Sequence, residues 1–478
     1  MENSIAKNAV FNMLYKALSV IFPLVIVSYA SRKLGANGIG QVSSAQNLVT
    51  YFTMFAALGI PSYGVRAIAR TRKNKEECDR TFTELFVINL CSTCICLLLY
   101  FILLHFMNLQ VEKLNYIFGL LIILNIFNVE WVYEGFEKYQ YIAIRSFLIK
   151  AISLILLVLF VKNETNLIAY TLIVCFGTAG NYLLNMASLS KYVKLRTDSL
   201  EVMKHLKIII TFFGSVIAIE LYSLIDVTML TYTSSSSVVG YYSNASKIVK
   251  MLANTITGIG AVMLPRLSLH FAERKFDDVR VIVKNFFNAT LTLSIPAAVG
   301  VGLLAKEIVI LLFGMEFMPA VPTIIILSPL IVLMPLSGGV FGQLLLTSGN
   351  EKKYLLCVGT GAGLNCILNY VFIPIWQNNG AAFASVLTEG LVDLFMVIFS
   401  MKIIKIEIDK KEIAKTVCAA IFMAFLLIVL KIVCADIPVI FAVVIKVMSA
   451  MIIYFIVLCI MKQKFVVGII QNIFVKRR

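Results

Sequence analysis

Charge is what this chain has least of. Asp, Glu, Lys and Arg make up 14% of its 478 residues, 60% are hydrophobic, and the mean hydropathy is +0.91. No soluble domain has that balance, so the chain reads as a polytopic membrane protein. Histidine is scarce too: His105, His205 and His270 are all there is, and they are scattered. A zinc site needs converging ligands at compact spacing, so no metal centre and no cofactor are expected. The ten cysteines read as small buried apolar residues. Strand-like alternation is missing, because the apolar runs are too long and uniform for a transmembrane barrel. Long outer loops are missing as well, which argues against a polymerase or transferase working outside the membrane. The opening apolar run is too long for a cleavable signal, and Asn8, Asn12 and Lys16 interrupt it.

What is present is a series of apolar runs. A span takes roughly 20 mainly apolar residues, and about fourteen such runs can be marked between residues 9 and 461. The net charge of +16 is distributed as topology. With the N-terminus inside, inner segments hold 32 Lys/Arg and outer loops hold 6. That is a strong positive-inside bias, placing both termini in the cytoplasm. The basic charge therefore speaks for anionic lipid heads rather than nucleic acid.

The chain also repeats itself. Ile39, Gly40, Ser43, Ala45 and Val49 recur 200 residues on as Val239, Gly240, Ser243, Ala245 and Val249, and Arg66 and Arg80 match Arg266 and Arg280. Gly135-Phe136-Glu137-Lys138 finds an echo 214 residues later in Gly349-Asn350-Glu351-Lys352. The expected fold is thus all-α, with two pseudo-symmetric six-helix lobes and two extra C-terminal helices. The lobes take residues 1–195 and 196–405, the extra helices 406–461, and a basic amphipathic tail 462–478 lies on the inner surface. The glycines of Leu34–Gly40 suggest a tight outer reversal into span 2, and Trp131 reads as an interfacial anchor.

Against this apolar background eight ionisable groups lie inside spans: Lys16, Lys247, Lys250, Lys446, Glu220, Asp226, Glu389 and Asp393. Each costs about 2.5–3.5 kcal/mol at a span centre on insertion scales, so they must face protein or water. Two readings stand side by side. Four cations and four acids could simply neutralise one another. Alternatively a wet cavity offers cations to an anionic ligand and acids to a coupling ion. Ser243, Lys247, Lys250, Asn254 and Thr257 fall on one helical face. The first copy of the repeat has the milder Ser43, Asn47 and Thr50. Lysine is a compact point charge suited to phosphate. Asp226, Asn365 and Asn369 offer hard oxygens for a small cation, with Glu220 and Glu389 as further acids; asparagines in spans also serve as interhelical glue. Lys446 could contact a groove or snorkel to the surface.

Leu34-Gly35-x-x-Gly38-x-Gly40, Leu58-Gly59-Ile60 and Arg66-x-x-Ala69-Arg70, with Asp226-x-x-Met229-Leu230 and Val239-Gly240-Tyr241-Tyr242-x-x-Ala245-x-Lys247-Ile248, carry a likeness. The chain resembles the Wzx-type polysaccharide repeat-unit flippases (O-antigen, capsule, exopolysaccharide) of the multidrug/oligosaccharidyl-lipid/polysaccharide exporter superfamily. The resemblance implies a central cavity with alternating access, in a bacterial cytoplasmic membrane. It implies undecaprenyl-pyrophosphate-linked oligosaccharide as substrate, with Lys16, Lys247 and Lys250 at the pyrophosphate and Asn47 and Asn254 beside them. It also implies a sodium or proton coupling site at Asp226, Asn365 and Asn369, with Ser385 or Thr388 on span 12, to which the intramembrane acids Glu220 and Glu389 are added as coupling candidates. Expected partners are membrane lipids, a polysaccharide polymerase and chain-length machinery. The chain has lysines where the related lipid II flippases have arginine-rich cavities, which lowers lipid II as substrate. A multidrug exporter of the same fold would favour an acid-dominated cavity.

Overall fold

The computed structural model describes residues 2–106, 112–196, 198, 200–260, 263–407 and 409–468, with side chains from residue 22 onward except at 112, 212, 215, 216, 218, 219, 221–223 and 259. These residues form helices and no strands. In chain order they are α1 (Glu2–Ala57), α2 (Ile60–Thr71), α3 (Lys75–Phe106), α4 (Glu112–Leu124), a 3-10 turn (Asn125–Phe127), α5 (Glu130–Gly135), α6 (Tyr139–Phe160) and α7 (Leu167–Leu189). Then come α8 (Val202–Thr233), α9 (Ser236–Gly260), α10 (Met263–Ala272), α11 (Phe276–Leu303) and α12 (Ala305–Leu312). After a 3-10 turn (Met315–Phe317) follow α13 (Ala320–Leu327), α14 (Leu330–Met334), a π-helix (Pro335–Phe341), α15 (Gly342–Thr347), α16 (Glu351–Met401), α17 (Lys410–Val433) and α18 (Val439–Ile460).

Among the described residues ten helices are long and apolar enough to cross a membrane, eleven if Ser236–Gly258 and Met263–Ala272, bent by 43°, count as one. Helices α1 and α16 are 56 and 51 residues long. At 1.5 Å per residue each far exceeds the ~30 Å hydrocarbon thickness, and each is broken once. In α1 the break is Gly35, at φ 66°. Only this glycine of the expected outer reversal takes the left-handed conformation; Gly38 and Gly40 stay helical, so the reversal is a one-residue kink. In α16 the break is Gln377, at φ 50°. A non-glycine residue there costs about 1–3 kcal/mol and needs support. Asn378 supplies it, with Nδ2 donating to Thr323 Oγ1 at 2.7 Å, while Thr323 Oγ1 donates to Asn379 Oδ1 at 2.8 Å.

The chain clusters into two compact units. The first holds residues 1–231 and 235–240, the second 232–234 and 241–478. In the first, α1 packs on α3, α4 and α6, α2 on α3 and α5, and α7 on α4 and α6. Lipid offers little hydrophobic drive between helices, so close packing and buried polar contacts hold them. Gly64 shows this: a Cβ there would come within 2.6 Å of the Trp131 ring. Trp131 is 3% exposed, lies among Ile60, Phe82 and Tyr133, and donates Nε1 to Asn128 O at 3.1 Å. It is a core residue rather than the interfacial anchor its position near a span end suggested. We expect its fluorescence, isolated by Trp376→Phe, to resist acrylamide quenching. Trp376, half exposed and isolated by Trp131→Phe, should be quenched readily. Equal quenching of the two would refute the buried placement.

In the second unit α11 packs on α17, α17 on α18, and α16 on α13 and α15. Its core joins Met263, Val283, Phe341, Leu344, Val392 and Met396. The last two helices are fastened to α11 by Thr292, whose carbonyl accepts from Tyr454 Oη at 2.7 Å and whose hydroxyl accepts from Gln463 Nε2 at 3.1 Å. Of the expected basic tail, residues 469–478 lie outside the described residues.

Candidate functional site

Helix α9 starts in the first unit and runs on in the second. Its polar stripe grades along its length. Ser243 is buried, Lys247 is exposed between buried Ser246 and Ile248, Lys250 is half-buried, and Asn254 is exposed. Neither Lys247 nor Lys250 makes an ion pair or hydrogen bond among the described residues. They are cations held on a rigid helix with their charge unspent. The side chain of Lys16 lies outside the described residues.

In the first unit Asn47 is 8% exposed, and its Nδ2 donates to Thr228 Oγ1 at 2.7 Å. Tyr51 Oη lies 2.8 Å from the same hydroxyl, and Thr231 Oγ1 donates to Ser44 Oγ at 2.9 Å. These bonds fasten the end of α8 along α1. Asp226, on the same stretch of α8, is 2% exposed. Glu220 is half-buried and lines a cavity with Asn125, Asn128 and Tyr182. In the second unit Asn365 and Asn369 are fully buried one turn apart, with Asn369 Nδ2 donating to Asn365 Oδ1 at 3.0 Å. Asn365 Nδ2 has no partner among the described residues. Ser337 of the π-helix donates to Glu389 Oε1, and one turn on both Asp393 carboxylate oxygens are buried with no hydrogen-bond partner among the described residues. Within a single unit, then, the predicted coupling residues Asn365 and Asn369 are joined directly. Asp226 and Glu220 belong to the first unit, while Asn365, Asn369 and Glu389 belong to the second.

Lys446 is settled by geometry. Its Nζ lies 2.9 Å from Glu307 Oε1, with side chains 5% and 15% exposed. It neither snorkels nor faces a groove. Two further charge networks had no signal in the span count because their partners fall at span ends. Arg145, 3% exposed, pairs with Glu130 at 2.5 Å and bonds Asn181 and Asn185. Glu84, fully buried, accepts from the Glu201 amide at 2.7 Å and lies 2.6 Å from His205 Nε2; Tyr63 Oη lies 2.7 Å from the other ring nitrogen. These bonds fasten the start of α8 to α2 and α3.

With long broken helices and intramembrane charges in two units, the molecule has the architecture of a multi-pass membrane protein. Known structures agree: "Lipid II flippase MurJ, inward closed conformation" matches with a TM-score of 0.77, covering 94% of this chain and 98% of that one at 16% identity, a likeness of fold. The sequence matches the family described as "Polysaccharide biosynthesis protein" over residues 5–270, more than half the chain. The chain belongs to that family. It is similar to the Escherichia coli protein named "Putative O-antigen transporter", 24% identical over 422 residues, covering 83% of this chain and 96% of that one. It is also similar to a Haloferax volcanii protein named "Probable low-salt glycan biosynthesis flippase", 22% identical over 203 residues, covering 42% and 43%.

Proposed function

We propose that this protein translocates undecaprenyl-pyrophosphate-linked oligosaccharide repeat units across a bacterial cytoplasmic membrane for cell-surface polysaccharide assembly. The observation that carries the reading is the pair Lys247 and Lys250 on α9, unpaired among the described residues, in a chain of the polysaccharide biosynthesis family. A lipid-linked sugar diphosphate has a head that cannot cross hydrocarbon and a tail that need not leave it. Two fixed cations in a low-dielectric setting hold a pyrophosphate far more strongly than they would in water. In this reading Lys16 joins them, Asn47 and Asn254 add hydrogen bonds, and alternating access moves the head. Coupling to sodium or protons falls to Asp226, Asn365, Asn369 and Glu389. Both termini face the cytoplasm, and a polymerase with its chain-length partner takes the product.

The test is the leaflet location of lipid-linked oligosaccharide in cells carrying Lys247→Ala with Lys250→Ala, against wild type and a deletion strain. Membrane-inserted mutant protein with sugar retained on the inner leaflet, as in the deletion, is the expected result. Normal translocation would make the lysines dispensable and remove the basis of the substrate assignment.

A further inference from the structure

The span formed by α4, the 3-10 turn and α5 is not continuous. The α-helix stops at Leu124, the 3-10 turn covers Asn125–Phe127, Asn128 is non-helical at ψ 77°, and helix resumes at Glu130. Irregular backbone at membrane depth persists only where protein buries it or where it lines a polar cavity. Here a cavity of about 370 Å³ opens against the break, wholly within the first unit. Its polar lining includes Glu220, Asn125, Asn128, Tyr182, Thr53 and Ser62, and no lysine or arginine is among the described lining residues.

The wall at the break is built and rigid. Asn89 Nδ2 donates to the carbonyl of Asn125 at 3.0 Å, and Asn125 Nδ2 returns to Asn89 Oδ1 at 3.3 Å. Asn128 Nδ2 donates to Asn125 Oδ1 at 3.4 Å, and Trp131 holds the Asn128 carbonyl. That leaves Asn128 Oδ1, the Ser62 hydroxyl and the Glu220 carboxylate with no hydrogen bond to the described residues.

The chemistry narrows the ligand. A carboxylate with no lysine or arginine among the described lining residues repels phosphate. A dehydrated metal ion needs six to eight oxygens, or a near-octahedral set, at about 2.0–2.6 Å. This cavity is far roomier, and no group of three His, Cys, Asp or Glu side chains that could hold a metal occurs among the described residues. At this volume it stands at the lower end of the range for small-molecule sites. A carboxylate that accepts from neighbouring hydroxyls, amide and hydroxyl partners around it, and a tyrosine ring are the groups that hold a sugar. Hydrogen bonds to an ionised acceptor are the strong ones. We infer that this cavity is a binding site for a neutral sugar ring, with Glu220 as its principal acceptor rather than a coupling acid. The inference rests on the flippase reading for its role, a hold on the glycan apart from the pyrophosphate, but not for its test.

The test uses purified full-length protein carrying Trp376→Phe, which leaves Trp131 as the sole tryptophan, bonded to the rim at Asn128. Glucose, galactose and N-acetylglucosamine are titrated while emission is followed, with glucose 1-phosphate and sodium chloride as controls. At least one neutral sugar is expected to give a saturable change, and the two controls none. Glu220→Gln should weaken that binding about tenfold, the loss of one charged hydrogen bond. Ser62→Phe, at an exposed position, should block it sterically without disturbing the fold. No saturable response to any of the three sugars, a response to sodium chloride alone, or binding unchanged in both variants overturns the inference. Those outcomes leave the leaflet assay standing; conversely, sugar binding with normal translocation in the double-lysine mutant would retain this site and remove the pyrophosphate reading.

Discussion

Replacing Gly240 by valine is expected to abolish recovery of monodisperse protein from detergent extracts, or to lower its apparent melting temperature by many degrees. Gly240 sits where α9 meets α1, and a Cβ there would fall inside the carbonyl oxygen of Ala36. The mirror contact is equally tight, since a Cβ on Gly40 would fall inside the carbonyl of Ser236. Neither obstacle is a side chain that can swing aside. Helix backbones would have to separate, and overpacking of this kind costs at the upper end of about 1–3 kcal/mol or beyond. Gly258→Ala is the control on the same helix. Nothing lies within 4 Å of its Cβ, and alanine is favoured over glycine inside a helix by about 1 kcal/mol, so that variant should be neutral or slightly stabilised. Equal stability of the Gly240 and Gly258 variants would refute the close approach.

Glu307→Ala should be the next most damaging change. It strands Lys446, buried in α18, without its one ion-pair partner among the described residues, on α12. Removing one member of a buried pair costs about 3–5 kcal/mol, whereas replacing both by apolar residues of similar size is often neutral. Glu307→Leu combined with Lys446→Met should therefore recover most of the stability lost in the single mutant, read as apparent melting temperature in the same detergent. A single mutant as stable as the parent would mean that water reaches Lys446.

Much of the fold could be read from the residues, because the membrane imposes one dominant rule. Runs such as 143–161 and 416–433 became α6 and α17 with ends shifted by a few residues. Hydropathy marks length and says little about joints. The breaks at Gly35 and Gln377 fall where joints were expected, within Leu34–Gly40 and between the runs 354–375 and 380–400, but hydropathy did not single out which residue leaves helical geometry. The site was legible as an inventory of charges rather than as pairings. The partner of Lys446 was missed because Glu307 was not among the eight ionisable groups counted inside spans, and Arg145 went unnoticed because it counted as inner basic charge. The fastening of α8 through Glu84, His205 and Tyr63 involves residues 63, 84 and 205, and no periodicity links positions so far apart.

The meeting of Gly40 with Ser236 and of Gly240 with Ala36 has a further meaning. Each contact becomes the other when 200 is added to one residue number and subtracted from its partner. That is the signature of an isologous patch, the kind two identical subunits present across a two-fold axis. Here both copies lie on one polypeptide, so a chain of half the length with a single copy of the patch would carry the elements needed to dimerise through it. The covalent joining of two such halves then frees one copy to change alone. The lysines at 247 and 250, standing where asparagine and threonine stand at 47 and 50 in the other copy, are the kind of divergence that a strict homodimer could never hold.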